Sequence, residues 1–139
     1  MSIVKIPMDN PEAYEKGGLP IEPGTREFEI KNVPSIKTAK TEKGTKYVDL
    51  QLVCVADDDM NGRTLYDNIA LTEKSYYRFY QFCRACGFTD EEIKEGVDVS
   101  VLQGTRLIVT SEQRPDTYQG ETRMRAVVKK YEYDVEKKG

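Results

Sequence analysis

The run Lys46-Tyr47-Val48-Asp49-Leu50-Gln51-Leu52-Val53-Cys54 sets Val48, Leu50, Leu52 and Cys54 two apart, with Tyr47, Asp49 and Gln51 between them. Side chains of a strand point alternately to its two faces, so this spacing predicts a β-strand with one buried side and one wetted side. The same period appears upstream, where Phe28 and Ile30 alternate with Glu27, Glu29 and Lys31. That segment is the first strand, from Thr25. Pro34 lacks an N–H and must bend or bulge the strand before it resumes at Ile36. The second strand closes at Asp57-Asp58-Asp59 and Asn61-Gly62, turn chemistry in both cases.

A third strand, Arg63 to Ala70, is less regular, because Leu65 and Ile69 share a face with Asp67; a bulge is expected to re-aim one of them. Tyr76, Phe79, Tyr80, Cys83 and Cys86 then follow at helical spacing, with Thr72 as the expected N-cap and Gly87 as the stop. Thr89-Asp90-Glu91-Glu92 reads as a capping box for a short second helix ending at Gly96. Two more strands, Thr105–Thr110 and Glu121–Tyr131, are joined by a ten-residue loop, Ser111–Gly120. Leu107, Val109, Met124, Ala126 and Val128 point to the core, which leaves Arg106, Arg123 and Arg125 on the outer surface.

With 139 residues the chain fits one domain able to bury a core without staples. Residues 1–24, with Pro7, Pro11, Pro20, Pro23 and Gly17-Gly18, read as an extended N-terminal arm; residues 25–135 form the domain, and residues 136–139 a short tail. No apolar run approaches the ~18 residues of a membrane span, and the first residues lack the apolar stretch of an export signal, so a cytoplasmic protein is expected. Cys54, Cys83 and Cys86 are then reduced. With no histidine and no second Cys-x-x-Cys, they read as buried structural thiols rather than as zinc ligands.

The net charge of −3 conceals a segregation. Residues 25–56 hold six cations against four carboxylates, residues 105–130 six against three, and residues 57–104 five against ten. A fold that brings the two basic segments together has a basic face whatever its total charge, since the local field acts over a Debye length of about 8–10 Å. Lys37, Lys40, Lys43 and Lys46 surround a Gly-containing turn that leads into Tyr47. Cations beside an aromatic are what a single-stranded nucleic acid requires, phosphate neutralisation next to a surface for stacking. The expected contacts are Lys37, Lys40, Lys43, Lys46, Arg63, Arg106, Arg114, Arg123 and Arg125 to phosphates, with Tyr47, Tyr66 and Tyr118 to bases.

Five strands with a helical insertion between the third and fourth is the order of the OB-fold, a mainly β five-stranded Greek-key barrel. Its strands 2 and 3, and its 1–2 and 4–5 loops, bind oligonucleotides. In that frame the lysine turn is the 1–2 loop and Arg114–Tyr118 lies in the 4–5 loop, which would make one groove of them. Another small barrel or sandwich with an inserted helix is the competing architecture.

The chain also resembles phage-encoded single-stranded DNA-binding-like proteins of replication and recombination cassettes. The resemblance runs from about Pro23 to Tyr133. It rests on Pro23-Gly24, Gly44-Thr45-Lys46-Tyr47-Val48-Asp49-Leu50, Gly62-Arg63-Thr64-Leu65-Tyr66-Asp67-Asn68-Ile69, Phe82-Cys83-Arg84-Ala85-Cys86-Gly87 and Leu102-Gln103-Gly104. It implies an OB-like barrel that coats and protects single-stranded DNA, with replication or recombination proteins as further partners. No cofactor or metal is expected.

Two other classes stand beside this reading. An enzyme without histidine must build its site from carboxylates and lysines, and three consecutive aspartates at 57–59 project in different directions; no catalytic residue is assigned. A protein-interaction adaptor or structural phage protein could use the same barrel without nucleic acid. A homo-oligomer is compatible with either reading.

Overall fold

The computed structural model describes residues 2–5, 21–118 and 120–133, the side chains of Tyr118 and Arg123 excepted. Most of the expected arm and the tail at 136–139 lie outside the described residues. Six strands are present: β1 (Gly24–Ile30), β2 (Ser35–Thr38), β3 (Lys46–Cys54), β4 (Thr64–Ala70), β5 (Arg106–Tyr118) and β6 (Glu121–Glu132). Between β4 and β5 lie α1 (Tyr76–Ala85) and α2 (Asp90–Glu95), with 3₁₀ turns at Glu73–Ser75 and Val99–Val101. The protein is mainly β, its strands forming one antiparallel sheet.

β3 is the hub. β4 borders it along Tyr47–Val53, while β2 and then β1 share its other edge, at Lys46–Asp49 and Leu52–Cys54. β1 and β2 are therefore two halves of one bent strand, as Pro34 foretells; Pro34 itself is fully buried. Ile30 faces Leu52 and Ser35 faces Asp49, so the bent strand holds two residues more than its partner across the bend. The missing rungs are supplied by Asn32. Its Nδ2 donates to the Asp49 carbonyl at 3.0 Å, and its Oδ1 accepts from the Gln51 N–H at 2.9 Å, satisfying backbone groups that the bend would otherwise leave without partners.

Burial follows the alternation. Val48, Leu50, Leu52 and Cys54 of β3 are buried and meet Phe28, Ile30, Leu65, Ile69, Leu107, Val109, Val128 and Tyr131 from the other strands, closed over by Phe82 and Cys83 of α1. Each such side chain contributes roughly 1.5–3 kcal/mol relative to exposure. Phe82 packs edge-on against Tyr131, centroids 5.2 Å apart. Of the segment read as an arm, Ile21 belongs to this core and is fully buried, and Glu22 and Gly24 lie within reach of the Ser111 hydroxyl.

α1 ends as its sequence requires. Gly87 adopts φ +99°, its N–H reaches the Arg84 carbonyl at 3.0 Å, and the Phe88 N–H reaches the Cys83 carbonyl at 3.1 Å, the paired bonds of a Schellman motif. The capping box of α2 forms, with Glu92 N–H to Thr89 Oγ1 at 3.2 Å and Thr89 N–H to Glu92 Oε1 at 3.0 Å. Thr72 makes no side-chain cap; a 3₁₀ turn precedes α1 instead.

Further expectations are corrected, among them the core position of Met124, which stands 49% exposed on β6. The β3–β4 ladder is regular throughout, so no bulge re-aims Leu65, Asp67 or Ile69. Asp67 keeps its core-facing place because its Oδ2 accepts from Arg78 Nη2 of α1 at 2.6 Å and from the Tyr131 hydroxyl of β6 at 2.5 Å. Next, the sheet is open. Among the described residues no ladder pairs β4 with β6, and α1 packs on both strands, bridged by that Asp67 network. Finally, the loop at 111–120 is largely strand. β5 and β6 run on past the start of β1, where Gly24 pairs with Ser111, as a two-stranded ribbon to the turn at Gly120 (φ +80°), after a bulge at Thr110/Ser111. Gln113 ties the ribbon's base to the Ile21 carbonyl at 3.1 Å.

Candidate functional site

The outer side of the sheet, opposite the core, is the surface on which the expected residues must be located. Registers give its rows: Lys37 beside Tyr47 beside Ala70, Ser35 beside Asp49 beside Asn68, Gln51 beside Tyr66, and Val53 beside Thr64. Lys37, Tyr47 and Tyr66 therefore share one face, as the alternation requires. Tyr66 is 60% exposed in the middle of β4, an unusual situation for a ring on a strand. Gln51 faces it and Asn68 follows on the same strand. Sequence reasoning did not single out Gln51 or Asn68, although Gln51 was legible as an i+4 neighbour of Tyr47 on the same side of β3. Asn32, brought alongside by the bend, left no such signal.

The cations differ from one another. Lys37 donates to Asp49 Oδ2 at 2.7 Å, a hydrogen-bonded pair that raises its pKa above the ordinary lysine value. Arg106, on the neighbouring outer face of β1 and β5, lies 3.5 Å from Glu29 and 3.9 Å from Glu27. Arg114, on the ribbon, holds Glu112 with Nε at 2.7 Å and Nη2 at 2.6 Å. Arg125 sits directly across the ladder from Arg114, exposed. Arg63 precedes β4 with its side chain partly buried and its backbone bonded to Met60 and Cys54, off the outer face. By contrast Lys40, Lys43 and Lys46 are exposed and form no ion pair with a described residue. The stacking assignment of Tyr118 and the phosphate assignment of Arg123 rest on side chains outside those described.

The bent strand also separates the two basic segments. The ribbon leaves the sheet beside Gly24, at the start of β1, and the lysine turn leaves after Thr38, at the end of β2. No ladder connects them. The lysine turn adjoins the Tyr47–Tyr66 face; the ribbon's arginines stand beyond the other end.

The remaining reactive groups are committed to structure. Burial pushes the Cys83 thiol up to about 12, and burial with the neighbouring Cys83 does the same for Cys86, so neither is a thiolate near neutrality. Asp58 accepts from the Met60 N–H at 2.8 Å and from Arg26 Nε at 2.9 Å, which lowers its pKa and fixes the turn after β3. Among the described residues no three acidic or thiol side chains converge as metal ligands.

Fold and face together define a small, mainly β protein built on an open antiparallel sheet, with an aromatic and amide-bearing outer side next to a lysine turn. The chain belongs to the family described as Protein of unknown function (DUF669), whose model matches residues 9–135. No curated protein matches it. No helix among the described residues is long and apolar enough to cross a membrane.

Proposed function

We propose that the protein binds single-stranded DNA on the outer face of β2, β3 and β4, in an OB-like and partly open barrel, as the phage single-strand-binding resemblance implies. Support for the barrel comes from strand order: with β1 and β2 counted as one bent strand, the sheet runs β4-β3-β1-β5-β6, and the face in question belongs to the second and third strands. The observation that carries the reading is Tyr66, more than half exposed in mid-strand, beside Gln51 and within the same sheet face as Lys37 and Tyr47. A ring held open on a rigid sheet offers a base one face at little entropic cost. The turn lysines neutralise phosphates as the strand leaves. Stacking and backbone charge contain no base-edge code, so binding is sequence-tolerant.

The chain contains nine tyrosines and no tryptophan, so intrinsic tyrosine emission reports directly on stacking. Titration with oligothymidylate should quench it and saturate, and a duplex of equal length should bind far more weakly. Equal affinity for duplex, or no saturable quenching at low salt, refutes the proposal.

A further inference from the structure

Three described tyrosines are more than half exposed, and all lie within twelve residues: Tyr66 at 60%, Tyr76 at 53% and Tyr77 at 62%. From the acidic charge of residues 57–104 alone, Tyr76 and Tyr77 read as core or a subunit interface rather than as platforms for bases. The structure gives them another neighbourhood. β4 ends at Ala70, paired with Tyr47, and the next residue donates its N–H to the Lys46 carbonyl at 2.8 Å. The chain turns there, through Ser75 N–H to the Thr72 carbonyl at 2.9 Å, and delivers Tyr76 and Tyr77 in the first turn of α1. They emerge at the same end of the sheet as the lysine turn. Lys74, in the 3₁₀ turn that precedes them, is exposed, and like Lys40, Lys43 and Lys46 it has no ion pair with a described residue; Glu73 is the acidic residue of that turn.

Why these rings stay in water also has an answer in the fold. Phe79, Phe82 and Cys83 fill the core side of α1, and Arg78 is directed to Asp67, so the helix is anchored from Arg78 onward. Tyr76 shares the stripe of Phe79 and Cys83 by spacing but stands 53% exposed, outside the core cluster that Phe79, Phe82 and Cys83 join. Two large apolar rings left there cost solvation without stabilising the core.

Resting on the proposed single-strand binding, we infer that the DNA path does not end at Tyr66 but turns over the end of β3 and β4 onto Tyr76 and Tyr77. Lys46 and Lys74 would hold its phosphates at the corner. The occupant is single-stranded nucleic acid because aromatic faces and unneutralised cations coincide at this corner; an apolar protein partner would find the lysines obstructive. The site then has two platforms, one on the sheet and one on the helix, and only a strand long enough to reach both uses the second.

The test compares oligothymidylates of about 4 and about 16 nucleotides, the two ends of the usual site-size range, on the parent, on Y76A/Y77A, on Y76F/Y77F and on Lys74→Ala. The expected result is that Y76A/Y77A loses at least tenfold in affinity for the long oligomer and nothing for the short one. The phenylalanine pair retains both, and Lys74→Ala lowers the salt slope by about 0.7 for the long oligomer alone. Equal affinities of Y76A/Y77A and parent for the long oligomer overturn the inference and leave the sheet face standing. Equal losses on both lengths, with Y76F/Y77F normal, also overturn it, since the rings would then belong to the first platform. Self-association in gel filtration without DNA, abolished by Y76A/Y77A, assigns the rings to a protein interface and overturns it as well. A parent that binds neither oligomer removes the sheet site and its extension together.

Discussion

The outer side of the sheet has two halves that both offer cations and differ in how those cations are paired. On the β2–β3–β4 half, Tyr66 stands open opposite Gln51, and the adjoining turn, which also contains Glu42, keeps Lys40, Lys43 and Lys46 out of any ion pair with a described residue. On the β1–β5 half the outward residues include Glu27, Glu29, Arg106 and Ile108, and the arginine lies within reach of both glutamates. A count of cations would give both halves a share of any anion site. Pairing decides otherwise: a phosphate approaching Arg106 must compete with two carboxylates held against it, whereas Lys43, although Glu42 adjoins it in the chain, is exposed and in no ion pair with a described residue.

The largest expected difference between the halves concerns stacking. Tyr66→Ala should weaken oligothymidylate binding by about 1–3 kcal/mol, measured by anisotropy, with the salt slope nearly intact. Ile108→Ala on the other half should leave affinity unchanged. Equal losses would dissolve the comparison. The next effect is electrostatic. Removing Lys40, Lys43 and Lys46 together should flatten the log–log salt dependence by about 2, at ~0.7 per phosphate contact, while Arg106→Ala should alter it by much less than one contact.

A gain-of-function change sharpens the contrast further. E27Q/E29Q frees Arg106 without altering side-chain size, and should raise affinity at low salt and steepen the slope by up to ~0.7. No change would mean that the strand never reaches β5. The smallest effect is one of stability and pH. Asp58, held below its ordinary pKa first by the Met60 N–H and then by Arg26, stabilises the fold above its unfolded value of about 3.9 and ceases to do so as pH falls through its lower folded value. Asp58→Asn should therefore lower Tm at neutral pH, with the gap to the parent narrowing in strong acid, as read by circular dichroism.

The parts legible in the sequence were those where a single periodicity dominates. β1, β3, α1 and the capping box of α2 announce themselves because burial or a local bond repeats at a fixed interval. The ribbon was not legible, since Gln113, Pro115 and Thr117 present no apolar face and Pro115 with Asp116 imitates a turn. Asp67 misled for a related reason: alternation cannot tell a misplaced carboxylate from one whose partners, Arg78 and Tyr131, arrive from distant elements. Within the candidate site, facing was predictable and pairing was not. Nothing local indicates that Lys37 meets Asp49 twelve residues later while Lys40 and Lys43 meet none, because ion pairing depends on the ladder's register rather than on sequence distance.

Asn32 gives the bend an arithmetic consequence. The bent strand gains two residues on its partner at that point, an even number, so Lys37 shares the outer side with Glu27 and Glu29, while Ile36, opposite Val48, shares the other side with Phe28 and Ile30, although at this end of the sheet it stands 59% exposed. Parity is therefore preserved across the joint, and the amide that stands in for the lost rungs is what permits a step of two. Deleting one residue between Lys31 and Pro34 would reverse the parity downstream. Ile36 and Lys37 would then exchange sides of the sheet, Ile36 moving to the proposed DNA surface, with every residue of β2 chemically unchanged.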